Sequence, residues 1–204
     1  LPEANPIIMD RFSDKPATGA APLFSAVYPG VFDAGECAAL RALVDEGLSE
    51  AAATKAYPNS AEARRTQVAW VPDEPDFAWV WSRMADLTAT ANREAFNFRL
   101  EGFDEQMQVA RYGAEKRDHF DWHVDRGRTG IAARRKLSIA IQLSKPGLYT
   151  GGALQLFSDG HLWEAPRQPG TAMVFAGFVP HRVTPVETGV RHSLALWVHG
   201  PDFV

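Results

Sequence analysis

Cysteine is almost absent from this 204-residue chain. Cys37 is the only one, which excludes an internal disulfide and any zinc cluster built on cysteines, and sets the expectation of a reducing compartment. A basic excess is missing too. Lys and Arg number 21 against 25 Asp and Glu, a formal net charge of -4, so no overall positive field exists to hold a polyphosphate and nucleic acid is not an expected partner. No apolar run reaches the ~18 to 20 residues that span a bilayer, and the chain does not open on a basic segment followed by an apolar stretch. The expectation is a cytoplasmic protein with no membrane partner. The first residue is Leu1 rather than Met, so nothing about a leader follows from it. Internal repeats and low-complexity tracts are lacking as well, and what remains is an ordinary globular composition, 46% hydrophobic, 11% aromatic and 23% charged. That length and composition suit one domain with a sizeable core.

The stretch from Pro2 to Pro22, with Pro6, Pro16, Gly19 and the pair Ala20 and Ala21, reads as an extended arm. Leu23 to Val31 has strand character. Asp33 followed by Glu36 has the capping-box spacing that opens a helix, expected to run to about Glu50 with Leu40, Leu43, Val44 and Leu48 as its apolar stripe. The Ala-rich section with Tyr57, Pro58 and Asn59 is a loop, Thr66 to Val71 a short strand, and Pro72 to Pro75 another loop. A second helix is predicted from about Asp76 to Phe96, because Phe77, Val80, Trp81, Met84 and Leu87 recur at helical spacing; that stripe is read as core-facing. From Phe98 onward the period changes to two, in short strands broken by Gly and Pro. Helices followed by a run of short strands indicate a β-sandwich or barrel buttressed by helices.

Two of those strands have a polar face. Alternation puts Leu137, Ile139, Ile141 and Leu143 on one side and Lys136, Ser138, Ala140, Gln142 and Ser144 on the other. It separates His192, Leu194, Leu196 and Val198 from Arg191, Ser193, Ala195 and Trp197 in the same way. Such faces usually meet solvent, but in a small barrel they can look inward at a ligand.

The densest chemical signal is His119-Phe120-Asp121-Trp122-His123-Val124-Asp125, two overlapping HxD tripeptides. On a regular strand residues 119, 121, 123 and 125 share a face, so an imidazole and a carboxylate two positions on can chelate one ion. Alone the motif is weak, since six His and 25 acidic residues in 204 produce about 0.7 such pairs by chance. His181, preceded by Pro180, adds a third candidate ligand, and Arg191 follows ten residues later on a polar strand face. Two His and one carboxylate make the facial triad of non-haem Fe(II) oxygenases, and an arginine offers a two-pronged fork to a carboxylate. Spacing does not choose between the two HxD pairs.

The ordered series Tyr112, Phe120, His123, Asp125, Arg135-Lys136-Leu137-Ser138, Gln142-Leu143-Ser144, Gly151-Gly152-Ala153-Leu154, Pro169-Gly170, Phe175, Pro180-His181, Val183-Thr184-Pro185-Val186, Gly189 and Arg191-His192-Ser193 resembles the 2-oxoglutarate and Fe(II)-dependent oxygenases of the prolyl 4-hydroxylase-like superfamily. It looks closest to the small bacterial and phage PKHD-type hydroxylases. The likeness is strong over about residues 106 to 200 and looser before them.

The resemblance implies a mainly β fold, a double-stranded β-helix (jelly-roll, cupin-like) over residues 98–200 with helical support over 32–97, in a single domain over 23–204 behind an arm over 1–22. It assigns the ligands to His123, Asp125 and His181, because the family places an aromatic three residues before the metal-binding His, here Phe120. His119 and Asp121 then have no assigned role. Arg191 is expected to bind the distal carboxylate of 2-oxoglutarate, with Tyr112, Ser193 and Gln142 assisting. Fe(II), 2-oxoglutarate and O₂ are the implied cofactor and cosubstrates, with ascorbate a candidate reductant. The expected reaction is hydroxylation of an aliphatic C–H with succinate and CO₂ as coproducts, foremost on a prolyl residue of a protein or peptide. A free amino acid or small metabolite is the alternative substrate, and a non-catalytic cupin-like metal sensor the alternative class. Substrate recognition is expected from the loop Tyr57 to Arg65 and from the basic stretch Arg126, Arg128, Arg134 and Arg135.

Overall fold

In the computed structural model, residues 24–46, 50–51 and 63–202 are described. The expected arm over 1–22, Leu48 and the loop around Tyr57 lie outside them. Strand β1 (Ser25–Tyr28) leads into helix α1 (Ala34–Asp45), whose start is the capping box read from the sequence. Asp33 Oδ1 accepts from the Glu36 amide at 2.8 Å, and Glu36 Oε2 accepts from the Asp33 amide at 2.9 Å, so two otherwise orphaned donors are satisfied reciprocally. The helix is shorter than expected, because Asp45 and Glu46 put negative charge at its negative end and Gly47 follows, while Glu50 and Ala51 form strand β2.

Strands β3 (Arg64–Arg65) and β4 (Gln67–Trp70) precede the second helical segment. That segment fills the predicted span in three geometries: a 3₁₀ turn over Pro75–Phe77, helix α2 over Ala78–Ala91, and a π turn over Asn92–Phe96. The exit is clamped by Asn92, which donates to the Phe98 carbonyl and accepts from the Phe98 amide at 2.9 and 2.8 Å. The predicted stripe holds, with Val80, Met84 and Leu87 buried and Phe77 and Trp81 packed at its margin.

The remaining strands are β5 (Gln108–Gly113), β6 (His119–His123), β7 (Arg135–Gln142), β8 (Tyr149–Gly151), β9 (Leu154–Ser158), β10 (His161–Glu164), β11 (Ala172–Ala176), β12 (His181–Val183) and β13 (Val186–His199). They pair antiparallel into two sheets. The larger has the order β1-β11-β7-β13-β5-β4-β2, with β8 added at the start of β13, and the smaller the order β10-β9-β12-β6-β3. Neighbours remote in sequence lie side by side, and two such sheets facing each other make a double-stranded β-helix.

The larger sheet separates two cores. On its outer face Leu137, Ile139, Ile141, Leu194, Leu196 and Val198 pack with Leu40, Val44, Val80, Met84 and Leu87 of the helices. On its inner face Ala110, Tyr112, Met173 and Phe175 meet Leu154, Leu156 and Val183 of the smaller sheet. The apolar sides of β7 and β13 are thus used up by the helices. Their polar sides are directed between the sheets, the less usual of the two readings.

Candidate functional site

Between the sheets lies a cavity of about 60 Å³ whose walls include His123, Asp125, His181, Tyr112, Ser138, Arg191, Ser193 and Trp197. His123 ends β6 and His181 opens β12, and the two face each other as register partners. Asp125 stands two residues beyond His123. One ligand atom from each of the three lies within 4.8 Å of the others, with Asp125 Oδ1 at 3.7 Å from His123 Nε2 and Asp125 Oδ2 at 3.4 Å from His181 Nε2.

The ring nitrogens are committed in the same way in both histidines. His123 Nδ1 lies 2.7 Å from the Asp121 carbonyl and His181 Nδ1 lies 2.9 Å from the Val179 carbonyl, so each carries its proton on Nδ1 and turns an Nε2 lone pair to the centre. Phe120 stacks on His123 with ring centroids 3.5 Å apart, and the edge of Phe175 meets His181 at 4.7 Å. Burial and the nearby His181 bring the His123 pKa down to about 4, which leaves a neutral imidazole at neutral pH. Burial pushes the Asp125 carboxyl up, but the two imidazoles, a 2.6 Å hydrogen bond from Ser138 Oγ and the Arg135 guanidinium outweigh it and bring the pKa to about 2. Two imidazole nitrogens and one carboxylate oxygen fit a divalent first-row metal and leave its remaining positions to the cavity.

A β-bulge decides which HxD reaches the cavity. From His181 to Val183 β12 advances two residues, while β6 goes from His123 back to Phe120, three residues. The extra residue breaks strict alternation, so Phe120 and His123 both line the cavity while Asp121 and Trp122 are exposed on the other side, Trp122 beneath the Arg182 guanidinium at 4.8 Å. The expectation that 119, 121, 123 and 125 share one face is therefore corrected. His119 instead pairs in register with Arg65 and turns Nδ1 to the Arg117 carbonyl at 3.0 Å.

Arg191 is 3% exposed, and among the described residues no carboxylate pairs with it. Its guanidinium donates to Ser193 Oγ at 3.2 Å and lies 5.5 Å from the Tyr112 ring centre. Burial pulls its pKa down and the Tyr112 and Tyr149 phenols push back. A buried cation without a counter-ion is costly unless an anion arrives. Gln142 lies outside the metal-facing cavity. It lines a smaller neighbouring space of about 10 Å³ together with Tyr149, Arg167 and, again, Arg191.

Arg126 and Arg128 do not line the cavity. Arg128 is exposed, and the Arg126 amide donates to the Gly177 carbonyl at 2.8 Å. The other two arginines of that stretch are engaged elsewhere: Arg134 pairs with Glu101 and Asp104, and Arg135 forks onto Glu105 with two 2.6 Å bonds and covers Trp197 at 4.0 Å. The sequence reading missed three residues at or beside the cavity: Ser138, which anchors Asp125; Tyr149; and Trp197. Arg64, within the stretch expected to recognise substrate, lies on β3 rather than in a loop, 4.7 Å over the Phe120 ring and bonded to Gln108 Oε1 at 3.2 Å. Ser138 and Trp197 carried a signal, their place on the polar faces of β7 and β13.

Residues 107–199 match the family model of the 2OG-Fe(II) oxygenase superfamily, a span that holds all three candidate ligands and Arg191. Over this region the chain is similar to the 2OG-Fe(II) oxygenases. A PKHD-type hydroxylase of Verminephrobacter eiseniae is 31% identical over 117 residues, 55% of this chain and 47% of that protein. The chain thus matches less than half the length of the curated relatives. In fold, the chain is similar to a Pseudomonas putida prolyl-4-hydroxylase, with a TM-score of 0.71 and 23% identity over 88% of this chain and 94% of that one. It is also similar to a Trichoplax adhaerens prolyl hydroxylase in complex with a peptide fragment of the hypoxia inducible factor oxygen degradation domain, with a TM-score of 0.71 and 17% identity over 86% of this chain and 83% of that one.

Proposed function

We propose that this chain is a 2-oxoglutarate- and Fe(II)-dependent dioxygenase that hydroxylates an aliphatic C–H, foremost on a prolyl residue of a protein or peptide. The observation that carries the proposal is the placing of three convergent ligand atoms and one buried, uncompensated guanidinium on the walls of a single cavity. A cavity that held metal alone would have no use for Arg191, which argues against the sensor alternative. The prolyl assignment rests on likeness to relatives, and a small-molecule substrate remains its competitor.

His123, Asp125 and His181 would hold the iron through Nε2, a carboxylate oxygen and Nε2. Ser138 keeps the carboxylate oriented, and the two backbone carbonyls keep the imidazoles in the correct tautomer. Arg191 offers its fork to the distal carboxylate of 2-oxoglutarate, with Ser193 and Tyr112 beside it. The apolar wall of Leu154, Phe175 and Val183 keeps bulk water from the reacting end. When bound, Fe(II) supplies the activation of O₂ that couples loss of CO₂ from 2-oxoglutarate to oxidation of the substrate. Arg126 and Arg128, beyond the cavity, are assigned to the approach of a substrate too large to enter it.

The test is turnover. Fe(II)-dependent conversion of 2-oxoglutarate to succinate, with a proline-containing peptide gaining the mass of one oxygen atom, is the expected result. Metal binding without succinate formation under any substrate would refute the enzyme reading. Oxygen transfer only to free amino acids or metabolites would replace the peptide reading with its competitor.

A further inference from the structure

We propose that the outer face of the smaller sheet is a docking site for a polypeptide partner, and that it takes an extended segment carrying an aspartate or glutamate side chain among apolar ones. The inference concerns the side of the sheet turned away from the cavity and stands apart from the reaction proposed there.

Strand alternation fixes which side chains stand on that face. His123, Leu156, His181 and Val183 point to the interior, so Val124, Phe157, Pro180 and Arg182 point outward. Leu162 of β10 is the register partner of Phe157 on β9, and the Phe157 amide donates to the Pro180 carbonyl at 2.9 Å. His181 faces His123, which sets Pro180 level with Val124. Four apolar residues from four chain segments thus form one row across the sheet. Leu162 is 53%, Phe157 47% and Val124 42% exposed, Pro180 is exposed too, and Trp122, 39% exposed, widens the row two residues from Val124. The row covers three inter-strand steps of ~4.8 Å, the reach of about four residues of extended chain. Scattered apolar residues are ordinary on a surface, but a contiguous strip marks a contact.

The charge beside the row names the partner's chemistry. Arg182 lies over the Trp122 ring at 4.8 Å and donates from Nε to Gln155 Oε1 at 2.9 Å, so its guanidinium is braced on two sides with the terminal nitrogens turned outward. Among the described residues no carboxylate pairs with it. Glu164, level with Gln155, is forked by Arg167, and Asp121 turns Oδ1 to the Trp122 amide at 2.9 Å. A fork already held in place loses little freedom on binding and is a ready receptor for a carboxylate. With Arg167 occupied, a single guanidinium is left, which suits a carboxylate better than a phosphate dianion, and the apolar row suits a peptide better than a free acid. Pairing of this face with itself about a two-fold axis would set Arg182 against its own copy, so a second copy of the chain is not the occupant.

The test pans a phage-displayed library of random dodecapeptides on the full chain, then titrates the enriched sequences, as labelled synthetic peptides, by fluorescence anisotropy. The expected consensus carries Asp or Glu with apolar residues on both sides. Arg182→Gln in the protein, and replacement of the peptide's carboxylate by an amide, should each weaken binding about tenfold, with no further loss when combined, because both remove the same charge-assisted bond. Phe157→Asp should weaken it by roughly tenfold or more while near-UV circular dichroism shows the fold retained. Should Phe157→Asp fail to fold, Leu162→Asp on the edge strand β10 takes its place. No enrichment, a consensus without a carboxylate, or affinities indifferent to Arg182→Gln overturns the proposal. A dimer in sedimentation equilibrium that either Asp variant dissociates overturns it as well, and gives the face to a second copy.

Discussion

At the scale of single residues, the site is a set of polar groups whose ordinary partners have been taken away. Asp125, His123 and His181 turn their ligand atoms to one another, and Ser138 holds the carboxylate from behind at 2.6 Å. His123→Ala, Asp125→Ala and His181→Ala should each abolish Ni(II) binding, whereas His119→Ala should retain it, as checked by calorimetry on folded variants. Ser138→Ala should weaken the metal about tenfold by releasing the carboxylate. Full metal affinity in His123→Ala would show that the wrong HxD pair was chosen. The three candidate ligands and Arg191 were legible in the chain because their order matches that of the family it resembles. Tyr149 was not, because it owes its place to contacts with residues remote in sequence, which nothing in local sequence announces.

At the scale of elements, small irregularities do what regular periodicity cannot. The extra residue in β6 turns His123 inward and its neighbour HxD outward, an effect invisible to a two-residue repeat because the repeat assumes that no residue is extra. Gly170, ahead of β11, has φ +76°, and a Cβ there would lie 1.9 Å from the Phe32 carbonyl oxygen. Gly170→Ala should therefore destabilise the fold by roughly 2 kcal/mol or more, read from the urea midpoint, because both strain and clash must be relieved. His192 ties β13 to the end of α1, with Nε2 2.9 Å from Asp45 Oδ1 and Ser144 Oγ 3.0 Å from Nδ1. Burial lowers its pKa from the ordinary 6.5 despite Asp45. Below about pH 6.5 the unfolded chain takes up a proton there that the folded one refuses, so stability falls with acid as this group titrates. His192→Gln should flatten that dependence between about pH 7.5 and about pH 5.5 in chemical denaturation. An unaltered slope would contradict it.

At the scale of the whole molecule, the two sheets have a division of labour. The helices cover one face of the larger sheet with hydrocarbon, which leaves its other face free to carry polar groups into the space between the sheets. Such a space should be stabilised by what fills it. Ni(II) alone at about 100 times its dissociation constant should raise Tm by roughly 5 to 10 °C and 2-oxoglutarate at the same excess by about as much again, and the metal-dependent part should vanish in Asp125→Ala. Sequence alone determined the elements whose causes are local: the α1 capping box, the helical stripe from Phe77 to Leu87, the two-residue alternation of β7 and β13, and the order of the ligand motif. Only the tertiary structure decided where those elements point. Whether the polar face of β13 meets water or a ligand depends on which side the helices occupy. The fit of Tyr149 beside Arg191 depends on β8 lying across the start of β13. These are properties of strand pairing between distant segments, where the chain's own neighbours exert no direct force.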